Sequence, residues 1–291
     1  NPVPFLLSQI MASNIGGTAT LIGDPPNIMI GSAAGLGFTD FILNTGPVVL
    51  IILAVVVGIF ILMYRGNLHV ESENMEKVMD LDEKLAIKDV SLLRKSVIMI
   101  VLVVIGFVFH DQLGIESATV ALTAAGVMLL IGGQDAEDVI LGVEWSTILF
   151  FIGLFVVVGG LNSTGVIAML ANGMLNLVGD NEMLAIVLIL WASALISAFL
   201  DNIPFVATLI PMIQTMQQGG MDVLPLWWAL SLGACLGGNG SLIGASANVV
   251  LAGVSAKNGY PITFMSYLRK GFPLMLLSIV ICTVYLLSRF A

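Results

Sequence analysis

Uncharged stretches such as Val97–Val108 and Thr147–Val158, with longer apolar runs of helix length along most of the chain, constrain this sequence more than any other feature. Only 10% of its 291 residues are charged and 58% are hydrophobic. A soluble domain carries roughly 25% charged residues because its surface must be wetted. With a mean hydropathy of +1.05, this chain cannot cover itself, and lipid has to be the missing solvent. The expectation is an all-α polytopic membrane protein whose first partner is the lipid bilayer.

Several function classes drop out on the same reading. The net charge is −9, and of the 19 acidic residues seven (Glu71, Glu73, Glu76, Asp80, Asp82, Glu83, Asp89) fall in one polar segment. No basic patch interleaves with aromatics, so no nucleic-acid partner is expected. Cys235 and Cys282 lie within apolar runs, where a disulfide framework is implausible. There is no His-Glu-x-x-His, no Gly-x-Ser-x-Gly, and only two His in all, so the chain is not read as an enzyme. No cofactor is expected, and no Gly-x-x-x-x-Gly-Lys-Ser/Thr loop for a nucleotide occurs. The opening Asn1-Pro2-Val3-Pro4 has neither Met nor a basic region, and reads as an internal cut through a longer protein rather than a signal peptide.

Three regions are expected: a membrane block over 1–64, a polar linker over 65–95 and a second block over 96–291. In the second block the apolar pattern places spans near 96–110, 117–132 and 146–160 and an interfacial helix near 164–178. A two-armed hairpin over 183–217, an interrupted span over 225–256 and a last span over 271–289 follow. Six of the ten basic residues (Arg65, Lys77, Lys84, Lys88, Arg94, Lys95) are in the linker, and Lys257, Arg269 and Lys270 precede the last span. The positive-inside rule puts both regions in the cytoplasm and the C-terminus outside, in the cell (inner) membrane. Parity leaves open whether the 183–217 arms cross fully or form a re-entrant hairpin.

An internal repeat carries the functional inference. Gly16-Gly17-Thr18-Ala19-Thr20-Leu21-Ile22-Gly23-Asp24-Pro25-Pro26-Asn27 aligns without gaps on Gly237-Gly238-Asn239-Gly240-Ser241-Leu242-Ile243-Gly244-Ala245-Ser246-Ala247-Asn248, 221 residues on, with six of twelve positions identical. Chance would give about one. Adjacent glycines each weaken a helix by roughly 1 kcal/mol against Ala. Pro25-Pro26 removes two backbone donors and pushes Asp24 out of helical geometry. Two matched Gly/Pro-interrupted membrane segments point to a transporter site, since backbone freed at bilayer depth is tolerated only beside protein or an aqueous cavity. Close helix packing on small residues is the plainer alternative, and it leaves the matched hydroxyls and the trailing Asn unexplained.

The candidate ion-binding set is therefore Asn14, Gly16, Gly17, Thr18, Thr20, Gly23, Asp24 and Asn27 from the first copy, and Gly237, Gly238, Asn239, Ser241 and Asn248 from the second. Asp201 and Asn202 join them because they interrupt a long apolar stretch, where an intramembrane carboxylate usually faces a polar cavity. Asp201 or Asn202 can equally be the cap of the second arm, with Pro204 in its first turn. Asp24 pairs with Ala245 in the repeat, so the two half-sites are chemically unequal. No metal box is visible, and Asp201 with the helix breaks is the candidate place for a sodium ion. His110 and Asp111 read as interfacial, and Trp145, Trp227, Trp228 and Tyr267 as interface anchors.

At Gly16–Asn27, Asp201–Thr208 and Gly237–Asn248 the chain resembles the ion transporter superfamily with its citrate-transporter-like domain. Within it, the likeness is to the group of arsenite permeases, NhaD-type sodium/proton antiporters and the P-protein. The resemblance covers essentially the whole chain and implies an inverted-repeat transporter with discontinuous helices and a re-entrant hairpin, whose tip here is Asp201-Asn202-Ile203-Pro204. The family's first repeat has its own hairpin tip upstream of the first broken helix, and this chain begins after it. The function implied is secondary active transport of a small inorganic ion or oxyanion, with proton or sodium coupling. Arsenite or antimonite efflux is the first substrate expectation, sodium/proton antiport the close rival. A dicarboxylate is less favoured, for want of an intramembrane Arg or Lys. A passive channel would ignore a proton gradient, and a helix bundle acting only as an anchor would leave the matched breaks without purpose. A homodimer is an open arrangement.

Overall fold

Where the apolar runs persist the backbone is helical, because a helix satisfies its own N–H and C=O groups without water. The computed structural model describes residues 2–67, 79, 87–179 and 181–290, and among these there are no strands. The middle of the expected 65–95 linker, and with it any test of its placement, lies outside the described residues. In chain order the helices are α1 Val3–Gly17, α2 Pro25–Ala34, α3 Phe38–Asn44, α4 Gly46–Tyr64, α5 Val90–Leu113, α6 Ser117–Ile131 and α7 Ala136–Leu141. They continue with α8 Trp145–Ser163, α9 Val166–Val178, α10 Glu182–Ser197, α11 Asn202–Gln218, α12 Leu224–Gly237, α13 Ser246–Lys257 and α14 Phe264–Phe290. Four of them, α4, α5, α8 and α14, contain stretches long and apolar enough to cross a membrane. The protein is an all-α polytopic membrane protein.

The helices group into two units, Arg65–Leu149 in one and the residues before and after it in the other. In the smaller unit α5 and α6 pack closely at Gly106, where a Cβ would lie 2.6 Å from Cγ1 of Val120. Lys95 Nζ donates to the Ile131 carbonyl at 2.6 Å, at the C-terminal end of α6, where a cation complements the helix dipole. Much of the apolar surface there faces outward, Leu122 and Leu130 among it, as lipid-facing side chains do.

In the larger unit both copies of the repeat are broken helices. The first break separates α1 from α2. The second separates α12 from α13, after a single 3₁₀ turn at Gly238–Gly240. At 14 and 12 residues, α12 and α13 extend about 21 and 18 Å, so the interruption falls near the middle of a stretch able to span a hydrocarbon core of about 30 Å. Helix α10 packs closely along α12. A Cβ on Gly233 would meet the Leu190 carbonyl at 2.6 Å, and one on Gly237 the Ala194 carbonyl at 2.6 Å. The turn after α10 arrives at the second break, with the Ser197 and Ala198 carbonyls 2.9 and 3.1 Å from a Cβ built on Gly244. The turn between α10 and α11 therefore lies at the level of the second break.

Three sequence expectations change. The last helix starts at Phe264 rather than near 271, so Arg269 and Lys270 are inside it. Lys270 donates to the Tyr64 hydroxyl and lies over its ring, 5.1 Å from the centroid. At the other end of α14, Arg289 Nη2 donates to Asn44 Oδ1 at 2.9 Å and the Tyr285 hydroxyl to the Asn44 carbonyl at 2.8 Å. Trp227, Trp228 and Tyr267 are core residues rather than interface anchors, each 3% exposed or less, with Trp228 edge-on to Phe41 at 5.2 Å. His110 is buried too, its Nδ1 3.1 Å from the Ile115 carbonyl, whereas Trp145 stays exposed and its Nε1 donates to the Ile140 carbonyl.

Candidate functional site

Each break is built the same way. Gly17 and Gly23 close the first loop on itself: a Cβ on either would come within 2.7 and 2.3 Å of the other's carbonyl oxygen. Their counterparts Gly238 and Gly244 repeat the pinch at 3.0 and 2.7 Å. No side chain fits there, which is why the glycines recur. The trailing Asn then staples each loop. Asn27 Nδ2 donates to the Thr18 and Thr20 carbonyls at 3.3 and 3.0 Å. Asn248 Nδ2 donates to the Gly238 and Ser241 carbonyls, both at 2.8 Å. Thr20 and Ser241 are repeat equivalents, and both Asn are fully buried. Backbone carbonyls orphaned by the break are thus satisfied at depth.

The same two asparagines join the copies. Asn248 Oδ1 accepts from Asn14 Nδ2 at 2.8 Å, while Asn27 Oδ1 accepts from the Ser231 hydroxyl at 2.7 Å and from the Cys235 thiol at 3.4 Å. Offset by 221 residues, Cys235 is the counterpart of Asn14. Each copy therefore reaches from the same position to the same partner in the other, the signature of a two-fold relation. The first half of each broken helix lies against the second half of the other, α1 beside α13 and α2 beside α12. The copies run antiparallel, so the repeat is inverted. Asn14 also donates to Asn239 Oδ1 at 2.9 Å, Asn239 Nδ2 donates to the Met11 carbonyl at 3.4 Å, and the Thr18 hydroxyl donates to the Asn14 carbonyl.

Between the breaks and the hairpin tip is a polar-lined cavity of about 160 Å³. The first copy contributes Ser13, Asn14 and Asp24, the second Ala245 and Ser246, and the hairpin Asn202. Among the described residues Asp24 is the only ionisable side chain on its wall. Asn202 Nδ2 stands 3.4 Å from both of its carboxylate oxygens, a long contact that leaves room for a third party. Asp24 is extended at φ −145°, ψ 136°, as a residue before proline must be, and stands at the N-cap position of α2 without a side-chain capping bond. Ala245 holds nearly the same conformation at φ −152°, ψ 148° without any proline. The N-termini of α11 and α13 also open on the cavity, and their first N–H groups have no intrahelical partner.

Of the candidate set, Asn14, Gly23, Asp24 and Asn202 line the cavity. Gly17, Thr18, Thr20, Asn27, Gly238, Asn239, Ser241 and Asn248 form the framework behind it, through the contacts above. Gly16 has open space around it, and Gly237 packs on α10. Asp201 caps α11: its Oδ1 accepts from the Ile203 N–H at 3.0 Å, and its side chain is exposed rather than on the cavity wall. Ser13, Ser231, Cys235 and Ser246 belong to the site without being in the candidate set, and Ala245, the repeat partner of Asp24, lines the cavity as well. The same offset applied to Asn14 leads to Cys235. Arg269 and Lys270, although within α14, do not line this cavity.

Paired broken helices meeting a hairpin tip around a small polar cavity define a membrane transporter. Residues 1–233 match the citrate transporter family (CitMHS), and the chain belongs to that family. It is 42% identical, over its whole length and 68% of the relative's, to an uncharacterized transporter of Mycobacterium tuberculosis (strain ATCC 25618 / H37Rv). It is 40% identical to a 46 kDa membrane protein of Mycobacterium leprae, again over the whole chain and 68% of the relative. It is also 31% identical to the P protein of Homo sapiens, over 99% of this chain and 44% of that one.

Proposed function

We propose that the protein is a secondary active transporter of a small inorganic ion, in which Asp24 carries the coupling proton or sodium ion. The observation behind this is the single carboxylate of Asp24, contacted by Asn202 and Cys235, in a cavity otherwise lined by amides, hydroxyls, small side chains, Pro25 and Ile203. A half-buried carboxylate that faces a cavity and has no cationic partner among the described wall residues is a natural carrier for a proton or a monovalent cation. One charge moved through 100 mV gives about 2.3 kcal/mol, enough to drive a gradient of roughly 50-fold.

The first cargo is a small oxyacid of the arsenite or antimonite type, moved outward. Its hydroxyls match Asn14, Asn202, Ser246 and the N–H groups at the start of α13. Cys235 donates to Asn27 Oδ1 and also lies beside the Asp24 carboxylate; with two Cys in the chain, there is no three-thiol site, and recognition rests on hydroxyls and amides. A second reading, sodium/proton antiport, is favoured by the same carboxylate and amide set. Citrate, the substrate in the family's name, fits less well. About 160 Å³ is below the roughly 300–1,000 Å³ usual for larger ligands, and no Arg or Lys lines the wall to meet its carboxylates. The proposed setting is the cell's inner membrane, with the 65–95 segment cytoplasmic and the C-terminus outside.

The test is flux through the full-length protein in sealed vesicles, with arsenite, sodium and citrate compared with and without an imposed proton gradient. Asp24→Asn is expected to lower gradient-driven flux of the true cargo by at least about 100-fold, or 2.7 kcal/mol. Undiminished coupled flux in that variant, at normal protein levels, would remove Asp24 from the mechanism.

A further inference from the structure

The inverted repeat gives the cavity two equivalent N-cap positions, 24 and 245, and only one of them carries a carboxylate. Both residues line the same cavity. Both are extended, with φ and ψ agreeing within about 12°, well inside the ordinary scatter of about 15–20°. Both precede a second half-helix, α2 or α13, whose trailing Asn is stapled in the same manner. The side chains behind them keep the relation, through the reciprocal Asn14–Asn248 and Cys235–Asn27 contacts. Position 245 is therefore a seat for a cavity-facing group made by the same local geometry that presents Asp24, and alanine puts no charge there.

We infer that Ala245 is a specificity-determining residue: by withholding a second carboxylate it holds the site to one negative charge and so to monovalent cations or protons. This deepens the proposed role of Asp24 and rests on that reading. Divalent ions are bound by oxygen ligands whose affinity rises with the number of carboxylates. Two carboxylates sharing about 160 Å³ would hold such an ion between them, whereas one carboxylate among amides and hydroxyls holds it poorly. The backbone need not change to admit the second, since aspartate is among the best N-cap residues.

The experiment uses the full-length protein purified in detergent, with Mn²⁺ as the probe, its binding followed by electron paramagnetic resonance and by the shift in melting temperature. Wild type, Ala245→Asp, Asp24→Ala and the exchanged variant Asp24→Ala/Ala245→Asp are compared, and melting without metal checks that each is folded. Ala245→Asp is expected to bind Mn²⁺ at least about 100-fold more tightly than wild type. The exchanged variant, again with one carboxylate, is expected to return to within about threefold of wild type. If Ala245→Asp binds Mn²⁺ no better than wild type, the two positions do not face one ligand and the inference fails. It fails equally if the exchanged variant binds as tightly as Ala245→Asp, because the introduced carboxylate would then be working without Asp24. Neither outcome depends on transport, so both are separable from a failure of the Asp24→Asn flux test, which bears on the function itself.

Discussion

Gly16 and Gly237 occupy the same place in the two repeats and have opposite surroundings. A Cβ on Gly237 would lie 2.6 Å from the Ala194 carbonyl, while one on Gly16 would meet nothing within 4 Å. Further along, Gly240 touches Ala198, and Gly244 is crowded by the Ser197 and Ala198 carbonyls, whereas the nearest atoms to Gly23 belong to Gly17. The second break is thus wrapped by the hairpin arm α10. What the two breaks share, the glycine pinch and the Asn staple, belongs to the chain's own loop closure. What differs is what each break presents to its neighbours and to the cavity. The repeat therefore fixes a backbone, and the later divergence at positions 14/235 and 24/245 assigns the two copies different work.

Removing the staples probes the shared part and carries the largest expected effect. Asn27→Ala and Asn248→Ala each strip hydrogen bonds from two loop carbonyls and orphan a donor across the two-fold. Both are expected to cost about 3 kcal/mol, read as a lower melting temperature in detergent. The two losses should agree within about 1 kcal/mol, and a small cost for either one would mean that the loops close without it. The glycine pair sharpens the difference. Gly237→Ala should destabilise by about 1–3 kcal/mol through overpacking against α10. Gly16→Ala, exposed in this 291-residue chain, should stay within about 1 kcal/mol of neutral or gain slightly in helix propensity. Equal losses at the two would contradict the unequal packing. The smallest effect is expected at the hairpin tip. Asp201→Ala should cost about 1 kcal/mol through the lost cap, while Asp201→Asn, which caps as well, should change neither stability nor flux appreciably. A large flux defect in Asp201→Asn would place that carboxylate in the transport path after all.

The interruptions were readable because glycine pairs and Pro25-Pro26 contradict helix propensity within otherwise helical runs, and a contradiction repeated at one offset is hard to mistake. The division of labour at the tip was not. Asp201 and Asn202 are adjacent polar residues, and which one caps α11 and which one faces Asp24 is set by the rotation of the helix, which the sequence does not record. Burial of Trp227, Trp228 and Tyr267 was hidden for a related reason: an amphipathic ring suits a membrane interface and a packed helix contact alike. The start of α14 was masked by Arg269 and Lys270, which look like a boundary. Lys270 instead continues the helix because Tyr64 receives its ammonium.

The reciprocal amide contacts also limit how such a machine can work. Asn14, Asn27, Asn239 and Asn248 fasten the two motifs together by hydrogen bonds in a buried interior. Prising one motif away from the other would strand several amides there at about 1–3 kcal/mol apiece. A gate that opens along the seam between them is the costly route. Passage from one face of the bilayer to the other is cheaper if both motifs and their passenger travel as a single shuttle, with the sliding surfaces elsewhere.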